Sequence, residues 1–119
     1  MNAGDVYWVD FPSRGGREQA GRRPAIILQG ATASAVLPTV LCVPLTSQID
    51  AMRFPGTVLV EADTNNGLRR ASVALVFQLT AIDRRQVSLR LGSVSALVMT
   101  DIWRGLDELG ERSIPSAKP

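Results

Sequence analysis

The sequence predicts a mainly β domain of α+β type, a small antiparallel barrel with one C-terminal helix packed on it. Three observations predict this. Runs rich in apolar, β-branched and aromatic residues are separated by Gly, Pro, Asn and Asp clusters over most of the chain. Helical spacing appears only in the last third. The 119 residues are the size of one domain, with no internal repeat or linker. The expected organisation is a single domain over residues 1–112 followed by a flexible tail, 113–119.

The first strand is Asp5 to Phe11, whose β-branched and aromatic residues end at Pro12. A glycine- and arginine-rich loop precedes a second strand from Pro24 to Leu28. Small residues from Gln29 to Ala35 connect it to a third strand, Thr39 to Leu45, which is apolar on both faces and so suits a central position. Pro44 within that strand implies a bulge or a missing ladder bond near its end. A second long loop, Thr46 to Gly56, leads to a short strand over Thr57 to Glu61. Asn-Gly at the centre of Asp63 to Gly67 marks a tight turn. Ser72 to Leu79 reads as one buried strand. Gln86 to Leu91 alternates, which places Val87, Leu89 and Leu91 on the inner face. In the helix, Ser95 is the N-cap, Val98, Ile102, Leu106 and Leu109 form the apolar stripe, and Gly110 ends the run. Trp103 lies at the edge of that stripe, as core or as a contact with a second subunit.

Composition excludes several chemistries. With no histidine and Cys42 as the one cysteine, the chain has no usual general base, no serine or cysteine triad, no zinc site and no internal disulfide. No metal or cofactor is expected. Cys42, between Leu41 and Val43, reads as a small buried side chain. No apolar run is long enough to span a bilayer, and the first residues lack the pattern of a secretory signal, so a cytoplasmic protein is expected. Net charge is only +2, yet Lys118 is the sole lysine among 13 basic residues. That bias fits planar recognition of anions, and it equally fits a GC-rich genome.

The stretch Arg14 to Pro24 contains Arg14, Arg17, Arg22 and Arg23 with Glu18, Gln19 and three glycines. Arginine forks match phosphate oxygens, and glycines let a backbone approach a bulky polyanion. Four like charges this close repel one another until an anion arrives. The alternative is a solvated connection that only confers solubility. Pro24 biases Arg23 toward an extended conformation at a loop-to-strand junction.

Taken together, Gly4-Asp5-Val6-Tyr7-Trp8-Val9-Asp10-Phe11, Glu18-Gln19-Ala20-Gly21-Arg22-Arg23-Pro24 and Pro44-Leu45-Thr46-Ser47 resemble the MazF, PemK and Kid toxins. Ser72-Val73, Gln78 and Ile82-Asp83 extend the likeness more loosely. The resemblance implies an SH3-like barrel of the MazF/CcdB/Kid toxin fold that forms a homodimer. It also implies metal-independent cleavage of single-stranded RNA (mRNA) at short sequences, leaving 2′,3′-cyclic phosphate and 5′-hydroxyl ends. A cognate MazE-like antitoxin, acidic and partly disordered, is expected to lie along Arg14, Arg17 and the neighbouring loops.

The residues can carry that chemistry. RNA supplies its own nucleophile in the 2′-hydroxyl, so the protein must align it and stabilise a pentacoordinate phosphorane. Arg23 is expected to bind that charge and to donate toward the leaving 5′-oxygen. Thr46 matches the family's hydroxyl, which would hydrogen-bond the scissile phosphate or the 2′-hydroxyl, although a strand-ending threonine also caps turns. Glu18 either accepts the 2′-hydroxyl proton or closes the loop by pairing with an arginine. Expected RNA contacts are Arg14, Arg17, Gln19, Arg22, Ser47, Gln48, Arg53, Phe54, Arg69, Arg70 and Gln78. Some relatives place an acid before the glutamine that is Gln78 here, an arginine two positions before that acid, and another after the glutamine. This chain has Phe77, Leu75 and Leu79-Thr80-Ala81 there, so that version of the mechanism is absent. Two other readings compete. A CcdB-like toxin would grip DNA gyrase through Trp103, Arg104 and Gly105, and a non-catalytic RNA-binding barrel would rely on exposed aromatics such as Phe54.

Overall fold

A computed structural model describes residues 1–13, 15, 16 and 20–112. Its elements are β1 (Asp5–Phe11), β2 (Gly21–Ile27), α1 (Ala31–Ser34), β3 (Thr39–Thr46), β4 (Thr57–Val60), β5 (Ser72–Leu75), β6 (Thr80–Asp83), β7 (Val87–Ser93) and α2 (Ala96–Leu109). All strand pairs are antiparallel, in the order β4-β5-β3-β2-β1-β7, with β6 also on β3. Side chains alternate across the central strands, so the sheet serves two cores. Val6, Ile26, Val43 and Leu45 enter a large cluster with Ile102 of α2, and Val9, Ile27, Val40 and Cys42 enter a second cluster with Ile82. Val58 and Val60 of β4 and Leu91 of β7 pack on the same large cluster. Strands at opposite ends of the pairing order meet there only because the sheet coils on itself. The expected barrel is therefore present, and α2 covers its side through Val98, Met99, Ile102 and Leu106.

The expected helix is also found, with Ser95 Oγ accepting from the Val98 N–H at 3.2 Å and Gly110 at its C-cap. Trp103 stands off the stripe, 47% exposed. Cys42 is buried, which pushes its thiol up to about 12. Among the described residues, no helix is long and apolar enough to cross a membrane. The expected tail, 113–119, lies outside the described residues.

Three sequence readings need correction. Ser72 to Leu79 is not one strand. It breaks after Leu75 into a 3-10 turn, Val76–Gln78, and resumes as β6. β5 pairs with Leu45 and Thr46 of β3, whereas β6 pairs with Thr39 to Cys42. The gap between the two ladders falls at Val43 and Pro44, where the proline has no N–H to give. Leu89 does not face inward but is 65% exposed. The β1–β7 ladder slips twice, between Val6 and Tyr7 and between Tyr7 and Val9. Each irregularity reverses the alternation, so Leu91 joins the large cluster and Val87 the second one. Finally, β2 begins at Gly21, so Arg23 is a strand residue opposite Val9 and not a junction residue.

One turn positions the arm that follows it. Asn66 is buried, donating through Nδ2 to the Glu61 carbonyl at 2.8 Å and accepting from the Leu68 N–H at 3.0 Å. Gly67 takes φ +69°, open to glycine at little cost, and any side chain there would strike the Leu91 backbone. The Ser93 N–H donates to the Asn65 carbonyl at 2.8 Å. The turn is thus fastened to β7, and the segment leaving it, Arg69 and Arg70, is held beside the mouth of the barrel.

Candidate active site

The β2–β3 ladder starts at Ala25 opposite Pro44 and runs to Ile27 opposite Cys42, with the Leu28 N–H donating to the Leu41 carbonyl beyond it. Pro24 has no N–H to extend the ladder, and beyond it the strands separate. The same register, continued, would set Arg23 across from Thr46. Into this opening falls a cavity of about 470 Å³ to which both residues contribute. Pro24 and Leu45 line it between them. Trp8, paired with Pro24 on β1, forms part of one wall, and the arm from Gly67 to Arg70 forms another.

Arg23 is half-buried. Its Nη2 donates to the Ala20 carbonyl at 3.0 Å, which fixes the guanidinium plane. Its Nε is buried without a hydrogen-bond partner among the described residues. A buried, unpaired guanidinium N–H is costly until an acceptor arrives. Burial also lowers the Arg23 pKa, because loss of water disfavours the charged form. Thr46 Oγ1 accepts from the Gln48 N–H at 3.2 Å. It therefore caps a turn, and that bond uses an oxygen lone pair while leaving its own O–H free to donate.

Arg22, Arg23, Arg69 and Arg70 line the cavity with no carboxylate among the described lining residues. Such a lining attracts a polyanion, and its described residues hold no fixed negative charge to compete with it. Ser47 and Gln48 stand at its rim. The cavity thus unites seven of the expected residues: Arg22, Arg23, Thr46, Ser47, Gln48, Arg69 and Arg70. Arg14, Arg17, Glu18 and Gln19 lie outside the described residues. Arg53, Phe54 and Gln78 do not line the cavity. Gln78 is on the 3-10 turn after β5, and Arg53 is bound to the Asp50 carboxylate at 3.0 Å.

Trp8 is not among the site residues expected from the sequence, where it belongs to a strand of β-branched and aromatic residues, yet it is only half-buried and carries the Arg22 guanidinium 4.6 Å from its ring centroid. Tryptophan and arginine one diagonal apart on a hairpin was the available signal. Ser72 was also missed as a site residue. It donates to the Arg70 carbonyl at 3.2 Å and so holds the arm.

The chain is 32% identical over 119 residues to the endoribonuclease MazF of Staphylococcus saprophyticus, spanning 99% of this chain and 98% of that protein. Its fold matches the crystal structure of MazF from Deinococcus radiodurans with a TM-score of 0.80 and 28% identity, over 93% of this chain and 96% of that one. A MazE–MazF structure from the same organism gives 0.74 at 29% identity, over 95% and 97%. A coiled sheet closed by one helix and an arginine-lined opening between β2 and β3 thus come with sequence likeness along almost the whole chain. Residues 2–109 match the family of PemK-like, MazF-like toxins of type II toxin–antitoxin systems, and the chain belongs to that family.

Proposed function

We infer that this protein is a toxin that works as a sequence-specific endoribonuclease on single-stranded RNA and is neutralised by a cognate antitoxin. The observation that carries the reading is the pairing of Arg23 and Thr46 in one cavity, with a buried Nε that has no partner among the described residues and four arginines with no carboxylate among the described lining residues. The scissile phosphate would take the Arg23 guanidinium on one side and the Thr46 hydroxyl on the other. Attack by the 2′-oxygen forms the bond to phosphorus and gives a dianionic phosphorane, which Arg23 stabilises most at that point because its fork is already held in place by the Ala20 carbonyl. The P–O5′ bond then breaks, leaving a 2′,3′-cyclic phosphate. Arg23, whose pKa burial lowers, is the donor to the departing 5′-oxygen. The 2′-hydroxyl proton goes to solvent or to the Glu18 carboxylate, and the rate of Glu18→Gln separates the two.

Arg69 and Arg70, both exposed beside the cavity, suit the neighbouring phosphates. The same uncompensated charge suits an acidic antitoxin segment, which would inhibit by occupying the RNA path. We place the working form as a homodimer in the cytoplasm, where transcripts and antitoxin meet. The test is digestion of a mixed RNA by purified protein in EDTA, with the fragment ends mapped. Discrete fragments with 5′-hydroxyl ends are expected. Whole RNA of retarded mobility would reduce the protein to an RNA-binding barrel, and whole RNA of normal mobility would remove RNA as the target.

A further inference from the structure

We propose that Trp8 is a base-stacking residue of the nuclease site, holding the nucleobase next to the scissile phosphate, and that Arg22 positions its indole. This deepens the endoribonuclease reading and rests on it.

The cavity is two-sided in chemistry. Arg23 and Thr46 supply polar groups at the opening between β2 and β3, whereas Trp8, Pro24, Leu45, Leu68 and Leu91 supply apolar surface. A phosphate needs only the first set. A nucleobase, with two apolar faces and a polar edge, uses the second.

Trp8 does not behave as a core residue. Its strand alternation sends it to the same face as Val6, which is fully buried under the helix-covered cluster. Trp8 lies beyond that cover, half-buried, and lines the cavity. Its backbone is fixed, because its carbonyl accepts from Ser88 Oγ at 3.2 Å and its strand pairs with Pro24 across the ladder. Its ring is fixed too, since the Arg22 guanidinium sits 4.6 Å from the centroid. A guanidinium on one indole face sets the ring plane and leaves the other face for a base.

Geometry ties this platform to the phosphate grip. Pro24, opposite Trp8, is the next residue after Arg23. The Val9–Arg23 and Trp8–Pro24 pairs start the two side chains from opposite faces of the sheet, yet both line the one cavity where β2 and β3 part, so the guanidinium and the indole front the same space. A base attached to the phosphate that Arg23 holds is thereby brought to the indole. Stacking tolerates every base, so Trp8 contributes hold more than sequence choice.

The test uses the full chain with Trp103→Phe as background, which makes Trp8 the only tryptophan. Cleavage by this background protein is measured first, on an RNA oligonucleotide spanning a mapped cut site. Trp8→Leu is expected to raise KM about ten- to a hundredfold while kcat stays within about threefold, and Trp8→Phe to recover most of the loss. An abasic nucleotide beside the cut should cost the background protein a similar factor and cost Trp8→Leu nothing more. As a readout that needs no variant at position 8, Trp8 fluorescence should change on binding an oligonucleotide with a 2′-deoxy nucleotide at the cut. Arg22→Gln should weaken both effects without abolishing them. Uncut RNA from the background protein sinks the nuclease reading and this proposal with it. Normal cutting sinks this proposal alone if Trp8→Leu leaves KM unchanged, if the abasic and Trp8→Leu penalties add in full, or if the fluorescence stays constant.

Discussion

Among the described residues, two places lay an arginine over an aromatic ring, and they differ in what else the arginine touches. Arg22 lies 4.6 Å from the Trp8 centroid, lines the cavity with three further arginines, and has no ion pair among the described residues. Arg53 lies 4.3 Å from the Phe54 centroid, while its Nη1 binds the Asp50 carboxylate at 3.0 Å. Phe54 in turn meets Phe77 at 5.5 Å. The local motif is the same at both, but among the described residues only the second has its charge compensated by a carboxylate. An arginine on a ring is therefore not by itself a sign of ligand binding. What distinguishes the cavity is a set of cations with no carboxylate among its described lining, beside a buried N–H with no described partner.

If that contrast is right, the largest loss comes from the residue whose donor is left unpaired. Arg23→Ala is expected to lower kcat by about a thousandfold, the upper range for removing one preorganised donor to a transition-state oxyanion. Arg23→Lys should recover little of this, since an ammonium keeps the charge but cannot hold both the Ala20 carbonyl and a phosphate with a planar fork. Single-turnover cleavage reads the effect, and thermal unfolding checks that the barrel survives. Turnover near the wild-type rate would detach the cavity from the chemistry.

Thr46 comes next. Thr46→Val keeps the shape of the side chain and removes the hydroxyl, so it loses both the donor to phosphate and the acceptor for the Gln48 N–H. A bond to a charged group contributes about 1.5–3 kcal/mol, which sets the expected fall in kcat/KM at roughly 10- to 150-fold. Thr46→Ser should stay within a few-fold. If valine cleaves at the wild-type rate, the hydroxyl only caps the turn; if serine fails as badly as valine, the methyl group is needed as well as the hydroxyl.

The arm formed by Arg69 and Arg70 should affect binding and not the chemical step. Replacing both by alanine is expected to raise KM about tenfold at low salt and leave kcat unaltered. Each phosphate contact with single-stranded RNA contributes about 0.7 to the slope of log K against log salt, so the double variant should lose about 1.4. An unchanged slope would mean that the arm frames the cavity without touching RNA.

Much of this was legible beforehand, for identifiable reasons. Strand and helix boundaries set by proline, Asn-Gly or a serine cap were readable because those residues act on their own backbone: Ser95 and Gly110 bound α2, and Asn66 with Gly67 makes the turn. What depended on pairing partners was not. The break after Leu75 arises from a gap opposite Pro44 on another strand, and the exposure of Leu89 arises from slips against β1. Likewise the sequence named Arg23 and Thr46 through a resemblance, but that they share one cavity follows from where β2 and β3 stop pairing. Trp8 escaped because an apolar strand residue and a stacking platform are indistinguishable until the extent of the helix cover is known.

The smallest effect is expected at the other arginine. The Arg53–Asp50 pair is exposed at both ends, with 60% and 76% of the side-chain surface open. Pairs of this kind contribute little, about 0–1 kcal/mol. Arg53 still adds a positive charge to the protein's field, so Arg53→Ala is expected to raise KM about twofold in low salt. The Debye length falls from about 10 Å at 0.1 M to about 3 Å at 1 M, so the difference should vanish as salt is added. The comparison with the arm is then direct, since both variants are read on one RNA over one salt series. A small loss that salt erases fits a compensated charge acting at a distance. A tenfold loss with a lowered slope would mean that Arg53 contacts a phosphate, so that RNA leaves the cavity across the Phe54 and Phe77 rings and the two arginine–aromatic pairs serve one track.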